Sequence, residues 1–222
     1  MDMRLIDPNA PDDPRSKVNV AIKNVINFYN QEAERKGTQI IFADRYNQAK
    51  TDYLDAFAGG SFVAPTEHTE ATTIGDEDTD DDEPRTAAGA FNLYEDIKAK
   101  LVARGIPASE IAIAMDYNTE AKRTALFAKA NAGTVRILIG STQKLGVGVN
   151  VQERLYAMHH LDVPNTPADF KQRIGRGWRS GNKYAEWGIE IENIGYGVKD
   201  TSDAGAYGII QLKSRFVDQA LQ

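Results

Sequence analysis

Five short strand-like runs, separated by stretches of helical periodicity, leave few folds open to this chain. The first, Gln39-Ile40-Ile41-Phe42-Ala43, is apolar at consecutive positions. That is the pattern of a parallel strand covered on both faces, not of a strand with one wet side. Further strands are placed at residues 111–114, 135–139, 155–161 and 188–194. Residues 17–35 form the first helix: Ser16 caps it, Val18, Ala21, Ile22, Val25, Ile26 and Tyr29 recur at helical spacing, and Gly37 stops it. Helices follow at 91–104, ended by Gly105, and at 119–131, and a last one at 203–221 packs on the sheet. Strands alternating with helical segments of about ten to fifteen residues predict an α/β fold, a parallel sheet flanked by helices on both faces.

Residues 1–15 read as a linker-like lead-in, extended because Pro8, Pro11 and Pro14 crowd a run of turn formers. The lobe proper spans 16–222, interrupted at about 60–89 by an insertion with seven acids in the eight positions 76–83. Such a run repels itself and is expected as a disordered or solvated loop; it lacks the ordered spacing and central glycine of a calcium loop. The chain has no cysteine and three histidines, which excludes a disulfide framework or a thiolate metal site, and no metal site is assigned. No apolar run nears the ~18 residues that span a bilayer, and the amino terminus lacks signal-peptide character, so a cytoplasmic protein with no membrane partner is expected.

Ligands of open parallel sheets bind beyond the carboxyl ends of the strands. The loop after Ile139, Gly140-Ser141-Thr142-Gln143-Lys144-Leu145-Gly146-Val147-Gly148-Val149-Asn150, combines three glycines, small hydroxyls and a lysine, which lets backbone approach phosphate closely. No GxxxxGK[ST] string occurs anywhere, so the chain has no P-loop of its own. After Leu161, residues 165–183 carry Lys171, Arg173, Arg176, Arg179 and Lys183 against one acid, Asp169, a basic concentration within a chain of net charge -6. Position outranks the total: an anion is expected there. Thr166 and Pro167 start a helix, and Arg176 and Arg179 stand at its far end, where guanidinium forks suit the charge on a transferring phosphate.

These residues carry a resemblance. Gln172-Arg173-Ile174-Gly175-Arg176-Gly177-Trp178-Arg179 resembles motif VI of superfamily 2 helicases, and Ser180-Gly181-Asn182 the ending seen in Swi/Snf-type translocases. In the matching order, residues 39–44 resemble motif IV, 141–150 motif V, 161–169 the segment before motif VI, and 201–216 the closing helix. The resemblance implies a RecA-like lobe, the C-terminal one of a DNA-dependent ATPase. The phrases at 91–98 and 159–164 resemble large phage or mobile-element proteins that join a helicase to an adenine-specific DNA methyltransferase and are associated with antirestriction.

By that resemblance Arg176 and Arg179 reach the nucleotide phosphates, Arg179 as arginine finger, and Gln172 couples γ-phosphate to lobe closure. Gly148, Asn150 and Arg173 belong to the nucleotide side, and Ser141, Thr142 and Lys144 to the DNA backbone. ATP is then a ligand of a shared site, not bound tightly by this lobe, with magnesium held by an N-terminal RecA-like lobe of the same or another chain. The implied partners are that lobe, duplex DNA and a linked methyltransferase. The alternative is a non-catalytic lobe that binds DNA or a protein. His159 and His160, adjacent on a strand, are expected to point one inward and one outward. Trp178 and Trp187 are expected to be partly buried packing residues, and Tyr46 and Asn47 to lie near DNA.

Overall fold

The first apolar run divides its side chains between two interiors. In the computed structural model, which describes residues 4, 7, 9–44, 91–146, 150–162, 170, 173–175, 181–199, 205 and 208, it forms strand β1 (Thr38–Phe42), buried at every position. Ile41 faces one core and Ile40 and Phe42 the other, as the two-residue repeat of a strand requires. The remaining strands are β2 (Ile111–Ile113), β3 (Ile137–Gly140), β4 (Leu155–His160) and β5 (Glu192–Gly195). They complete a five-stranded sheet in the order β2-β3-β1-β4-β5. Every neighbouring pair is parallel.

Helices α1 (Lys17–Gln31) and α2 (Leu93–Val102) cover one face, where Val18, Ile22, Val25, Ile97 and Leu101 pack on Ile41, Ile113 and Ile139. Helices α3 (Glu120–Ala132), α4 (Thr142–Gly146) and α5 (Lys183–Glu186) cover the other, through Leu126, Ala130, Leu145 and Tyr184 against Ile40, Phe42, Leu138 and Met158. The expected Ser16 cap forms, its Oγ accepting the Asn19 N–H at 3.2 Å; Thr119, read from the sequence as the first residue of its helix, caps α3, its Oγ1 accepting the Lys122 N–H at 3.3 Å. Gly133 ends α3 with φ 77°, a left-handed value that glycine adopts without strain.

Helix α1 stops short of residue 35, where the sequence places its end. Arg136 explains this: its Nη2 donates to Tyr29 O at 2.8 Å and Glu32 O at 3.0 Å, and its guanidinium lies 3.9 Å from the Tyr29 ring centroid. A cation thus satisfies carbonyls at the negative end of the helix dipole. The left-handed residue of this turn is Lys36, at φ 52°, not Gly37. Gly37 is glycine because a Cβ there would meet Tyr184 Oη at 2.5 Å. The last strand is also later than the sequence suggests: Gly188, at φ 71°, turns the chain, Ile191 is buried in the core, and pairing begins at Glu192.

His159 and His160 do not divide between core and solvent. Both are buried, at 0% and 1% exposure, because a doubly covered sheet has no outward face here and alternation only assigns them to different interiors. On the α1 side, Gln39 Nε2 donates to Val25 O at 3.0 Å, which leaves Gln39 Oε1 to accept from His159 Nε2 at 2.9 Å. His159 Nδ1 then accepts from Tyr196 Oη at 2.8 Å, and that oxygen accepts from Asn24 Nδ2 at 3.0 Å. One neutral tautomer satisfies the whole chain. On the opposite face His160 stacks on Phe42, with ring centroids 5.5 Å apart and planes at 7°.

The lead-in is turned rather than extended: Asp7 O accepts the Ala10 N–H and Asp13 O that of Ser16, each at 2.9 Å. Charge fastens it to α2, since Arg4 pairs with Asp96 at 2.9 Å and Lys100 with Asp12 at 2.8 Å. Trp187 is half-exposed, at 51%, with its ring edge-on to Tyr184. The acidic insertion, Tyr46, Asn47 and Trp178 lie outside the described residues, as does the last helix apart from Gly205 and Gly208, both helical. Among the described residues no helix is long and apolar enough to cross a membrane.

Burial, reinforced by His160 beside it, pushes the His159 imidazole from 6.5 down to about 3. Burial and then the Arg173 guanidinium do the same to His160, also to about 3. The unfolded chain therefore takes up protons that the fold refuses: this stability is whole above 6.5 and is lost as pH falls towards 3. Urea unfolding at pH 7.5 and pH 5 is expected to show a loss of about 2 kcal/mol per histidine at the lower pH. His159→Gln is expected to reduce that pH dependence.

Candidate functional site

Three adjacent strands of the sheet, β3, β1 and β4, each deliver a polar residue just past their carboxyl ends: Thr142, Asp44 and Asp162. The chain leaving β3 enters α4 on one face, and the next described helix after β1 is α2 on the other. Connections that part to opposite faces open a crevice between neighbouring strands, the switch point at which doubly wound sheets bind ligands.

Arg173 fills this position from below. Its side chain is fully buried. Nε donates to Thr142 Oγ1, Nη2 to Asp44 Oδ2 and, at 3.2 Å, to Asp162 Oδ1, and Nη1 to Asp162 O at 3.3 Å. The guanidinium also lies 5.0 Å from the Phe42 ring centroid. The acceptors are tied to one another. Thr142 donates both its N–H and its hydroxyl to Asp44, and the Asp44 N–H donates to Asp162 Oδ2. Asp162 is nearly inaccessible, with 2% of its side chain exposed, whereas Asp44 is at 34%. A guanidinium suits this arrangement because its planar fork serves several acceptors at once and stays charged when buried.

Neighbouring residues hold the network in place. Tyr94 Oη donates to Ala43 O at 2.6 Å, and burial, then the charges of Asp44 and Asp162, push its phenol well above the usual tyrosine range, so it remains a donor. Ala43 N–H bonds Gly140 O at 3.1 Å and Leu161 N–H bonds Phe42 O at 3.0 Å, carrying the ladder to the ends of the strands. Phe170 meets the His160 ring edge-on at 5.4 Å, which seats the segment carrying Arg173 against β4.

The structure brings together some of the residues singled out by sequence. Arg173 and Thr142 are in direct contact inside the protein, and the donors of Arg173 are directed at the protein's own acceptors. Ser141 is buried and its Oγ accepts the Lys144 N–H at 3.3 Å, capping α4, on which Lys144 is half-buried. Asn150 is exposed, its carbonyl held by Asn131 Nδ2 at 2.7 Å. Gly148, Gln172, Arg176 and Arg179 lie outside the described residues. Asp44 and Asp162 were not singled out, although each is a lone acid two residues beyond an apolar strand, which is a readable signal. Among the described residues no group of three or more His, Asp or Glu could hold a metal ion.

Residues 88–181 match the family described as helicase conserved C-terminal domain. That span runs from just before α2 to the loop before α5 and contains Thr142, Asp162 and Arg173 but not Asp44. No curated protein matches the chain. Among solved structures it is similar to the crystal structure of the C-terminal part of the Fun30 ATPase domain, with a TM-score of 0.52 and 15% identity over 93% of this chain. The match covers 49% of the Fun30 chain, so the present chain corresponds to about half of it. The likeness shows the fold, a RecA-like α/β lobe.

Arg173→Met is expected to cost about 3–5 kcal/mol in chemical denaturation, because it removes the guanidinium that Asp162 and Asp44 share. Arg173→Lys recovers only part, since one ammonium cannot serve Thr142 and both carboxylates. Adding Asp162→Asn to Arg173→Met is expected to restore some stability.

Proposed function

We propose that this chain is the second lobe of a DNA-dependent, helicase-like ATPase, which completes an ATP site whose P-loop and magnesium ligands belong to a first lobe. The observation that supports this best is Arg173: a segment resembling motif VI is tied by a buried charge network to the ends of β1 and β4 and to the first turn of α4. Those are the places where the motif IV, motif V and pre-motif VI resemblances fall. A RecA-like lobe matching a helicase C-terminal family over 88–181 supports the same reading.

In this reading Arg173 serves the site from inside. With its donors directed at Thr142, Asp44 and Asp162, it is a strut, and nucleotide contact passes to Arg176 and Arg179. Arg179 acts as the finger, stabilising charge on the transferring γ-phosphate, and Gln172 senses that phosphate. Gly148 and Asn150 border the nucleotide, while the loop of Ser141 and Thr142, with Lys144 on the helix after it, lies along the DNA backbone. Phosphate contacts of that kind position a duplex without reading its sequence. When bound, ATP supplies the phosphoanhydride, and closure of the two lobes around it gates its cleavage.

The partners in this reading are a first RecA-like lobe and duplex DNA. The resemblance of the phrases at 91–98 and 159–164 supports a parent of the phage or mobile-element kind, with an adenine-specific methyltransferase and an antirestriction role.

In the full-length protein, Arg179→Ala is expected to lower DNA-stimulated ATP turnover by about a thousandfold, the weight of an arginine finger. Duplex binding in the absence of nucleotide is expected to persist. An undiminished turnover would overturn the role given to Arg179.

A further inference from the structure

We infer that Asp44 is a positioning residue that couples the loop after β3 to the segment carrying Arg173, so that DNA engaged at the first sets the arginine geometry of the second. The inference rests on the ATPase reading above. Asp44 has one carboxylate and three donors on it: the Thr142 N–H, the Thr142 hydroxyl and Arg173 Nη2. Arg173 Nε closes the ring by donating to the same Thr142 hydroxyl. Thr142 therefore cannot shift relative to Arg173 without breaking or redirecting a charge-assisted hydrogen bond, the stronger kind.

The backbone around Asp44 cannot absorb such a shift. Its N–H is held by Asp162 and the preceding carbonyl by Tyr94. Asp162, with its side chain 2% exposed, is the fixed post of the network, and Asp44, at 34%, is the corner that opens to the crevice. Two carboxylates share one guanidinium, so Arg173 can lean towards either without leaving the network. Displacement of the Ser141-Thr142 loop shifts that balance and turns the short segment that carries Arg173, the residue three positions before Arg176 in the sequence. Packed interiors pass on small displacements in this way because they hold discrete arrangements and do not deform continuously.

The test uses the full-length protein and compares ATP turnover with and without duplex DNA in wild type and Asp44→Asn, together with KM for ATP and the unfolding midpoint. Asp44→Asn keeps the shape and one acceptor oxygen but removes the charge that binds Arg173. The ratio of DNA-stimulated to DNA-free turnover is expected to fall about tenfold, through kcat and not KM. If Asp44→Asn does not fold, Asp44→Glu keeps the charge on a longer arm and is expected to lower the same ratio. An unchanged ratio beside normal wild-type stimulation overturns the coupling alone, as does a fall of both rates in step with the unfolding midpoint. A wild-type rate that DNA does not raise overturns the ATPase reading and the coupling with it.

Discussion

A single buried guanidinium organises the carboxyl edge of this sheet. Arg173 reaches the ends of β1 and β4 and the first turn of α4 at once, and each of its acceptors is also bonded to another member of the group. Removing a charge from water costs several kcal/mol and is recovered only when geometry and hydrogen bonding are nearly complete. The arrangement therefore tolerates little looseness. That intolerance makes it useful where reacting groups must be held, because a displacement of about 1 Å can cost a hundredfold in rate.

The layers behind the edge show the same economy of polar groups. His159 and His160, adjacent in β4, enter opposite interiors, one in a hydrogen-bonded chain with Gln39 and Tyr196 and the other stacked on Phe42. His160 lies between the apolar core and the charge network, and the guanidinium nearby helps keep its imidazole neutral. At the opposite end of the sheet Arg136 closes α1 as Arg173 closes the site, by directing several donors of one guanidinium at oxygens from different segments. Basic residues thus finish both ends of the sheet from inside.

Much of the fold was legible in the apolar runs. Ile40, Ile41 and Phe42 in succession signal a doubly covered strand, and Ser16 and Thr119 mark helix starts that the structure forms as expected. Boundaries failed where distant residues intervened: nothing near Gln31 in sequence reveals that Arg136 ends the helix there, or that Tyr184 requires glycine at 37. Neighbours on a strand ordinarily face core and solvent, and that rule misplaced one of His159 and His160 because the sheet has no wet face at β4. At the site, the motif strings pointed to Thr142 and Arg173, but their contact with each other and with Asp44 and Asp162 arises only when three strand ends converge. The inward orientation of Arg173 could not be read from a basic cluster, since charge counts do not distinguish a strut from a ligand contact.

The distinction between those two roles is the centre of the account. It is decided most directly by an experimental structure of the full-length protein bound to duplex DNA and a non-hydrolysable ATP analogue. Arg173 is expected to remain hydrogen-bonded to Asp44, Thr142 and Asp162 while Arg176 and Arg179 lie on the phosphates. Arg173 turned out of the network onto a phosphate, with Asp162 left to another partner, would contradict it.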